Sequence, residues 1–226
     1  MEFSEIIDLL TGENISLYEI IFLSLKISLS SVLLATFLGL PLGSFLVVKK
    51  FPGKNIFVVL INTLMGLPPV VVGLLVYLLL SRAGPLGNLG ILFTPQAMIF
   101  AQTILILPII TALSRQIIFD LWEDYRDQLT SLGASNSDAI FTLIWDARFS
   151  LLTAILAGLG RALSEVGAVI IVGGNIDGVT RVMTTAIALE TSKGELNLAI
   201  TLGIILIIII LIINAVTYLI KELAER

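Results

Sequence analysis

The chain has no cysteine and no histidine among its 226 residues. The first absence removes disulfides and thiol chemistry, and the two together remove the commonest zinc ligands. Charge is scarce as well: Asp, Glu, Lys and Arg make up 13% of the chain, and no basic patch offers a footprint for nucleic acid. Also missing is a G-x-x-x-x-G-K-[ST] phosphate loop, so the chain has no such device for cradling ATP. No nucleophile and base pair and no cluster of metal-ligating side chains stands out, which makes a membrane enzyme the poorest fit. No catalytic residue, metal or cofactor is expected on this chain.

What remains is apolar. Hydrophobic residues make up 57% of the chain and the mean hydropathy is +1.06, so its surface must face lipid over most of its length. At ~20 apolar residues per crossing of a ~30 Å hydrocarbon core, there is room for about five spanning helices. The apolar runs are continuous rather than alternating, which favours helices over a barrel. They extend from Leu17 to Val48, Ile56 to Leu80, Gln96 to Phe119, Leu151 to Val172 and Leu196 to Ile220. The expected fold class is an all-α integral membrane protein forming one transmembrane domain over residues 1–226.

Orientation follows from lysine and arginine, which collect on the inner side of membranes. With the N-terminus outside and the C-terminus in the cytoplasm, Lys49, Lys50, Lys54, Arg115, Arg126, Arg148, Lys221 and Arg226 all fall inside, against Arg82, Arg181 and Lys193 outside. Met1 to Glu19 lacks the basic start of a secretory signal and carries Glu2, Glu5, Asp8, Glu13 and Glu19, so the first apolar run is expected to be retained. Phe3, Ile6, Ile7, Leu9 and Leu10 have the spacing of a short amphipathic stretch at the outer interface. The few residues after Ile220 are expected to hold no regulatory domain.

The polar interruption over about 120–150 separates two apolar runs on the inner side. Asp120 to Leu132 has helical spacing, and Gly133 supplies the backbone freedom typical of a helix end. Ser135 and Asp138 form a capping-box pattern, with Ala139, Ile140, Leu143 and Ile144 as an apolar face behind it. The expectation is a helix, a tight turn and a second short helix projecting from the bilayer.

Within that loop, Asp127-Gln-Leu-Thr-Ser-Leu-Gly133 resembles the EAA-x-x-x-G loop of membrane subunits of ABC importers. Asp127 stands for the family's Glu, Gln128 and Leu129 replace its two alanines, and its later Leu-Pro falls at Trp145-Asp146. Other stretches are similar to the molybdate and tungstate permeases of this type: Gly66-Leu-Pro-Pro-Val-Val-Val-Gly73, Gly84-Pro-Leu-Gly87, Leu92-Phe-Thr-Pro-Gln-Ala97 and Gly160-Arg-Ala-Leu-Ser-Glu-Val-Gly167-Ala. The run from Gly173-Gly-Asn175 through Thr184 to Gly194 most resembles the tungstate members.

The resemblance implies a type I importer permease fold in the inner cell membrane, translocating an oxyanion, most like tungstate or molybdate. It implies that Ala134 to Leu143 is a coupling helix docking into a cytoplasmic ATPase dimer, which binds the ATP and magnesium. Asp127, Gly133, Ala134, Ser135, Asp138, Ala139 and Leu143 are the expected coupling residues. A permease homodimer and an extracytoplasmic substrate-binding protein complete the implied assembly. Arg181, Glu190, Lys193 and Glu195, on the outer loop over about 173–195, are the expected contacts for that binding protein.

Arg161 and Glu165 carry charge inside an apolar run, which costs at least ~2.5 to 3.5 kcal/mol per residue. At i and i+4 they can pair on one helix face, either as a structural ion pair or as part of the path or gate. Ser164, Asn175 and the backbone N–H groups of Gly173 and Gly174 are candidate donors to an oxyanion, with Thr111 and Ser114 behind them. Pro68 and Pro69 should kink or interrupt the second run, as Pro108 should the third, giving a gate or a static bend. The rival function is a secondary transporter or channel working without an ATPase. The secondary transporter would couple the anion to a proton through Arg161 and Glu165, and would carry inverted repeats that are not visible here.

Overall fold

The structure, a computed structural model, describes residues 15–225. The amphipathic stretch expected between Phe3 and Leu10, and Arg226, lie outside the described residues. Among those described there are nine α-helices and no strand: α1 (Ile15–Val48), α2 (Lys54–Leu64), α3 (Pro69–Leu80), α4 (Pro95–Ser131), α5 (Asn136–Asp146), α6 (Arg148–Leu163), α7 (Gly167–Gly173), α8 (Met183–Lys193) and α9 (Leu196–Glu225).

Three helices are long and apolar enough to cross a membrane unaided, α1, α4 and α9. The other two expected runs are broken. The run from Ile56 to Leu80 is not one kinked span, because α2 and α3 meet at 102°. Pro68 pushes Leu67 out of helical backbone, and neither Pro68 nor Pro69 has an N–H to carry the helix ladder. Pro68 becomes the cap of α3 instead, its carbonyl accepting from Val71 and Val72 at 3.0 and 3.2 Å. By contrast, α4 runs unbroken through Pro108, and α1 through Pro41.

The run from Leu151 to Val172 also departs from expectation. It stops at Leu163 and resumes at Gly167 as α7, leaving Ser164, Glu165 and Val166 outside regular helix. No proline causes this break. Close packing does: a Cβ on Gly167 would stand 2.9 Å from Val70 Cγ2, and one on Gly73 would stand 2.8 Å from Ala168 Cα. The starts of α3 and α7, each just past a break, therefore press backbone against backbone, which only glycine permits.

α4 is longer than its apolar run. Asp120 to Ser131 continues the spanning helix rather than forming a separate loop helix, because no glycine or proline interrupts it. Its 37 residues span roughly 55 Å at 1.5 Å per residue, well beyond a ~30 Å core.

The core has two distinct ends. At one, Val47 and Val48 of α1 and Ile118 of α4 pack with Ala139, Leu143, Ala147 and Leu151. At the other, Leu17 at the start of α1 packs with Met183, Ala186 and Leu202. α5 and α8 thus sit at opposite ends of the bundle. α9 packs little, with 17% of its apolar window buried and Ile207 and Leu211 each 65% exposed, as suits a helix facing lipid or a second chain.

Candidate functional site

Two places combine chemistry with unusual geometry: the projecting helix α5, and the junction of the broken spans.

At the first, α4 ends in a Schellman turn. Gly133 adopts φ +72°, its N–H donates to the Thr130 carbonyl at 3.1 Å, and Ala134 N–H donates to the Leu129 carbonyl at 3.0 Å. A side chain at position 133 would meet no atom within 4 Å, so glycine is there for its left-handed backbone and not for space. Ser135 then caps α5. Asp138 N–H donates to Ser135 Oγ at 3.3 Å, while Asp138 Oδ2 accepts from Ser135 N–H at 3.1 Å and from Ser135 Oγ at 2.6 Å. The expected helix from Ala134 to Leu143 is therefore shifted to Asn136–Asp146, with the capping box as expected.

The Ser135 hydrogen bonds hold the Asp138 carboxyl below its ordinary pKa of 3.8. A depressed folded-state value means that this contribution is present above the unfolded value and is lost as pH falls through the folded one. We expect α5 to loosen below about pH 3.8 in wild type. Asp138→Asn should remove that step, as read by hydrogen exchange of the α5 amides against pH.

The faces of α5 divide differently from the expectation. Ala139 is 3% exposed and Leu143 is fully buried, so both anchor α5 to α1 and α4 and cannot touch another protein. The large apolar side chains facing outward are Phe141, 76% exposed, and Trp145, 68% exposed, with Leu132 beside the turn at 74%. Arg148 donates to the Trp145 carbonyl at 2.6 Å and its guanidinium stacks 4.9 Å from the Trp145 ring, fixing the indole. Phe141 and Trp145 stand one turn apart, a spacing visible in the sequence once Ala139 and Leu143 are known to face inward. Asp127 lies further back on α4, with its side chain 94% exposed and 3.4 Å from Arg126. Ala134 is half-buried in the turn.

At the second place, Glu165 lies in the break between α6 and α7 and is 3% exposed. One carboxylate oxygen, Oε2, is 3.4 Å from Arg161 Nη2. The other, Oε1, accepts from Ala168 N–H at 3.0 Å, replacing the acceptor lost where the helix stops. The Glu165 carbonyl accepts from Thr184 Oγ1 of α8 at 2.7 Å. One residue thus joins α6, α7 and α8. The expected Arg161–Glu165 pair forms, although the helix that was to present it is interrupted between them. Pro68 and Pro69 lie at the break that α7 abuts, so the two interruptions are neighbours.

Other expected donors are already engaged. Ser164 Oγ donates to the Arg161 carbonyl at 3.2 Å. Gly173 is the last residue of α7, and Gly174 N–H donates to the Ile170 carbonyl at 2.9 Å. Asn175 Nδ2 reaches the Thr185 carbonyl at 3.5 Å, while its buried Oδ1 has no partner. Thr111 and Ser114 are fully buried in the α1–α4 seam and donate to backbone carbonyls, a packing role.

Thr184 and Gln102 were not foreseen. Gln102 Nε2 donates to the Ala162 carbonyl at 3.1 Å, and Gln102 Oε1 is buried without a partner. Both residues line a small cavity of about 10 Å³ with Ser24 and Ser28, room for about one water.

At the opposite end of the bundle from α5, α8 begins where Ser24 Oγ of α1 accepts from Met183 N–H at 2.7 Å. Arg181 pairs with Asp177 at 3.0 Å and Glu190 with Lys193 at 2.9 Å. Glu190 is only 6% exposed and Arg181 is largely buried, so both turn inward, whereas Lys193 and Glu195 face out.

Comparison with known proteins agrees with this architecture. Residues 35–226 match the family described as binding-protein-dependent transport system inner membrane component. A protein of Haloferax volcanii named "Probable anion ABC transporter permease protein" is 44% identical over 197 residues, 85% of each chain. The tungstate uptake system permease protein TupB of Peptoclostridium acidaminophilum is 39% identical over 220 residues, 97% of this chain and 96% of its own. The protein of the same name from Campylobacter jejuni is 39% identical over 76% of this chain and 72% of its own. With broken spans meeting at the Arg161–Glu165 ion pair and a capped helix at the bundle end, this chain belongs to the family of inner membrane components of binding-protein-dependent ABC transport systems.

Proposed function

We propose that the chain is the membrane subunit of an ATP-driven importer that moves a tetrahedral oxyanion inward, tungstate before molybdate or sulfate. The observation that carries the coupling part is the outward pair Phe141 and Trp145 on a helix whose other face is locked to the bundle. The anion follows the names of the relatives that match over most of their length.

ATP is bound and split on a separate ATPase dimer, with its magnesium, and this chain contributes no catalytic residue. Two coupling helices serve two ATPase subunits, so the membrane part is a pair of this chain. A path for an oxyanion does not fit the small cavity beside Gln102, and we place that path between the two copies. The N-terminus faces outward, and α8 with Lys193 and Glu195 meets the substrate-binding protein.

The mechanism follows from rigid connections. Closure of the ATPase dimer moves α5, and α5 moves α1 and α4 through the core shared by Leu143, Val47 and Ile118. The broken spans are where that displacement is absorbed, since unwound segments at membrane depth are tolerated where they face protein or water. Arg161 supplies positive potential beside the path, and Glu165 keeps it from holding the anion too tightly. Glu165 also links the break to α8, on the side where the loaded binding protein arrives.

The test is reconstitution of this chain with its ATPase and binding protein in liposomes. Uptake of tungstate that needs ATP and all three proteins is the expected result. Uptake by this chain alone, driven by a proton gradient, would overturn the proposal in favour of a secondary transporter.

A further inference from the structure

α1 and α2 are joined by a short turn at the end of the molecule where α5 docks. Lys54 at the start of α2 reaches back, its Nζ donating to the Val47 carbonyl at 2.9 Å. Its ammonium also lies within electrostatic reach of Lys50 and Arg115, both of the same sign. Lys49 stands next in the chain, over the Phe45 ring at 5.3 Å.

Among the described residues, none of these four cations forms an ion pair; the pairs present belong to Arg126, Arg161, Arg181 and Lys193. Arg115 Nε is buried with no hydrogen-bond partner. A pocket of about 490 Å³ opens among Lys50, Phe51, Gly53, Lys54 and Asn55. Like charges gathered without a counter-charge raise the free energy of the empty pocket, and a bound anion relieves that repulsion. The donors present, two ammonium groups and the Asn55 amide, suit several oxygens of one anion rather than a planar carboxylate held by a fork. A Cβ added at position 53 would meet no atom within 4 Å, so the pocket is open on that side.

We propose that this pocket binds a tetrahedral oxyanion group at the inner face of the protein. The group belongs either to a free oxyanion or to the phosphate of an acidic lipid headgroup. It is a site separate from the Arg161–Glu165 junction. The pocket's charge alone carries the binding claim, and only its use by the transported anion rests on the transport reading.

The experiment uses the full-length chain, without ATPase. In neutral detergent it is titrated with sodium tungstate, with binding followed by equilibrium dialysis. In parallel, chain purified from phosphatidylglycerol-containing nanodiscs is weighed by native mass spectrometry for retained lipid. The expected result is saturable binding of one probe that weakens at least about tenfold in K50Q/K54Q and fades as salt rises.

Tungstate binding would assign the pocket to the free anion, and retained phosphatidylglycerol lost in the variant would assign it to lipid. Equal binding in wild type and K50Q/K54Q, or no binding of either probe by wild type, would overturn the site. Because Lys54 also caps α1, Lys50→Gln alone is the control for folding: it removes no hydrogen bond seen in the structure and should still weaken binding about threefold or more. A failure here leaves ATP-dependent uptake untouched, so the two readings fail separately.

Discussion

Phe141→Ala combined with Trp145→Ala should strip the ATPase subunit from the chain during purification from its native membrane, while leaving the chain folded. Both side chains project outward at 76% and 68% exposure, so truncating them creates no cavity in the bundle. Large aromatic anchors in a docking groove are each worth ~2 to 4 kcal/mol to an interface. Losing two should weaken association by about a thousandfold or more, at ~1.4 kcal/mol per tenfold. Co-purification scored by mass spectrometry reads the loss, and the melting temperature in detergent should hold within a few degrees. Leu143→Ala is the contrast. That side chain is fully buried between α1 and α4, so its loss should cost ~2 to 5 kcal/mol of stability and lower the melting temperature. If the double variant still co-purifies with ATPase, the outward face of α5 is not the coupling surface.

Glu165→Ala should be the most damaging single change at the junction of the broken spans. It removes the acceptor of the Ala168 N–H and the partner of Arg161, and leaves that guanidinium without its carboxylate. Breaking a buried pair from one side costs ~3 to 5 kcal/mol. Arg161 keeps a third of its side chain exposed, which places the expected loss toward the lower end. Glu165→Gln retains an oxygen for Ala168 and should lose about half as much. Arg161→Met together with Glu165→Gln should recover much of the stability that Glu165→Gln alone loses, because no uncompensated charge remains. Thermal unfolding in detergent gives the stability cycle, and ATP-driven uptake in liposomes gives its functional counterpart. A structural pair predicts that uptake recovers with stability in the double variant. A gating pair predicts that stability returns and uptake does not.

The reach of sequence reasoning differs sharply between these two places. The capping box at Ser135 and Asp138 and the helix stop at Gly133 are local: each depends on backbone groups within three residues, so residue type and spacing suffice. The break at Gly66-Leu-Pro-Pro69 was legible for the same reason, since proline acts on its own neighbours. Its 102° size was not.

The break at Ser164 to Val166 could not be read, because no residue there forbids helix. It exists because α3 and α7 approach until Gly73 touches Ala168, and because a carboxylate stands in for the missing backbone acceptor. The two faces of α5 were likewise undecided. Ala139, Ile140, Phe141, Leu143 and Trp145 are all apolar or aromatic, and hydrophobicity alone does not tell an anchor from an exposed contact.

By itself, then, the sequence determined the solvent, the helical class, the approximate number of crossings and the position of the projecting helix. These depend on composition and on interactions a turn or two apart, and 57% hydrophobic residues in continuous runs leave no other solution. Only the tertiary structure decided which spans break without proline, which side of α5 is free, and which charges have partners. Arg181 and Glu190 show why: alike in sequence to exposed loop charges, both are largely buried by the fold, Glu190 to 6% exposure, while their ion-pair partners Asp177 and Lys193, only three or four residues away, stay exposed. That outcome is set by contacts between residues distant along the chain, whose distances a linear pattern does not contain.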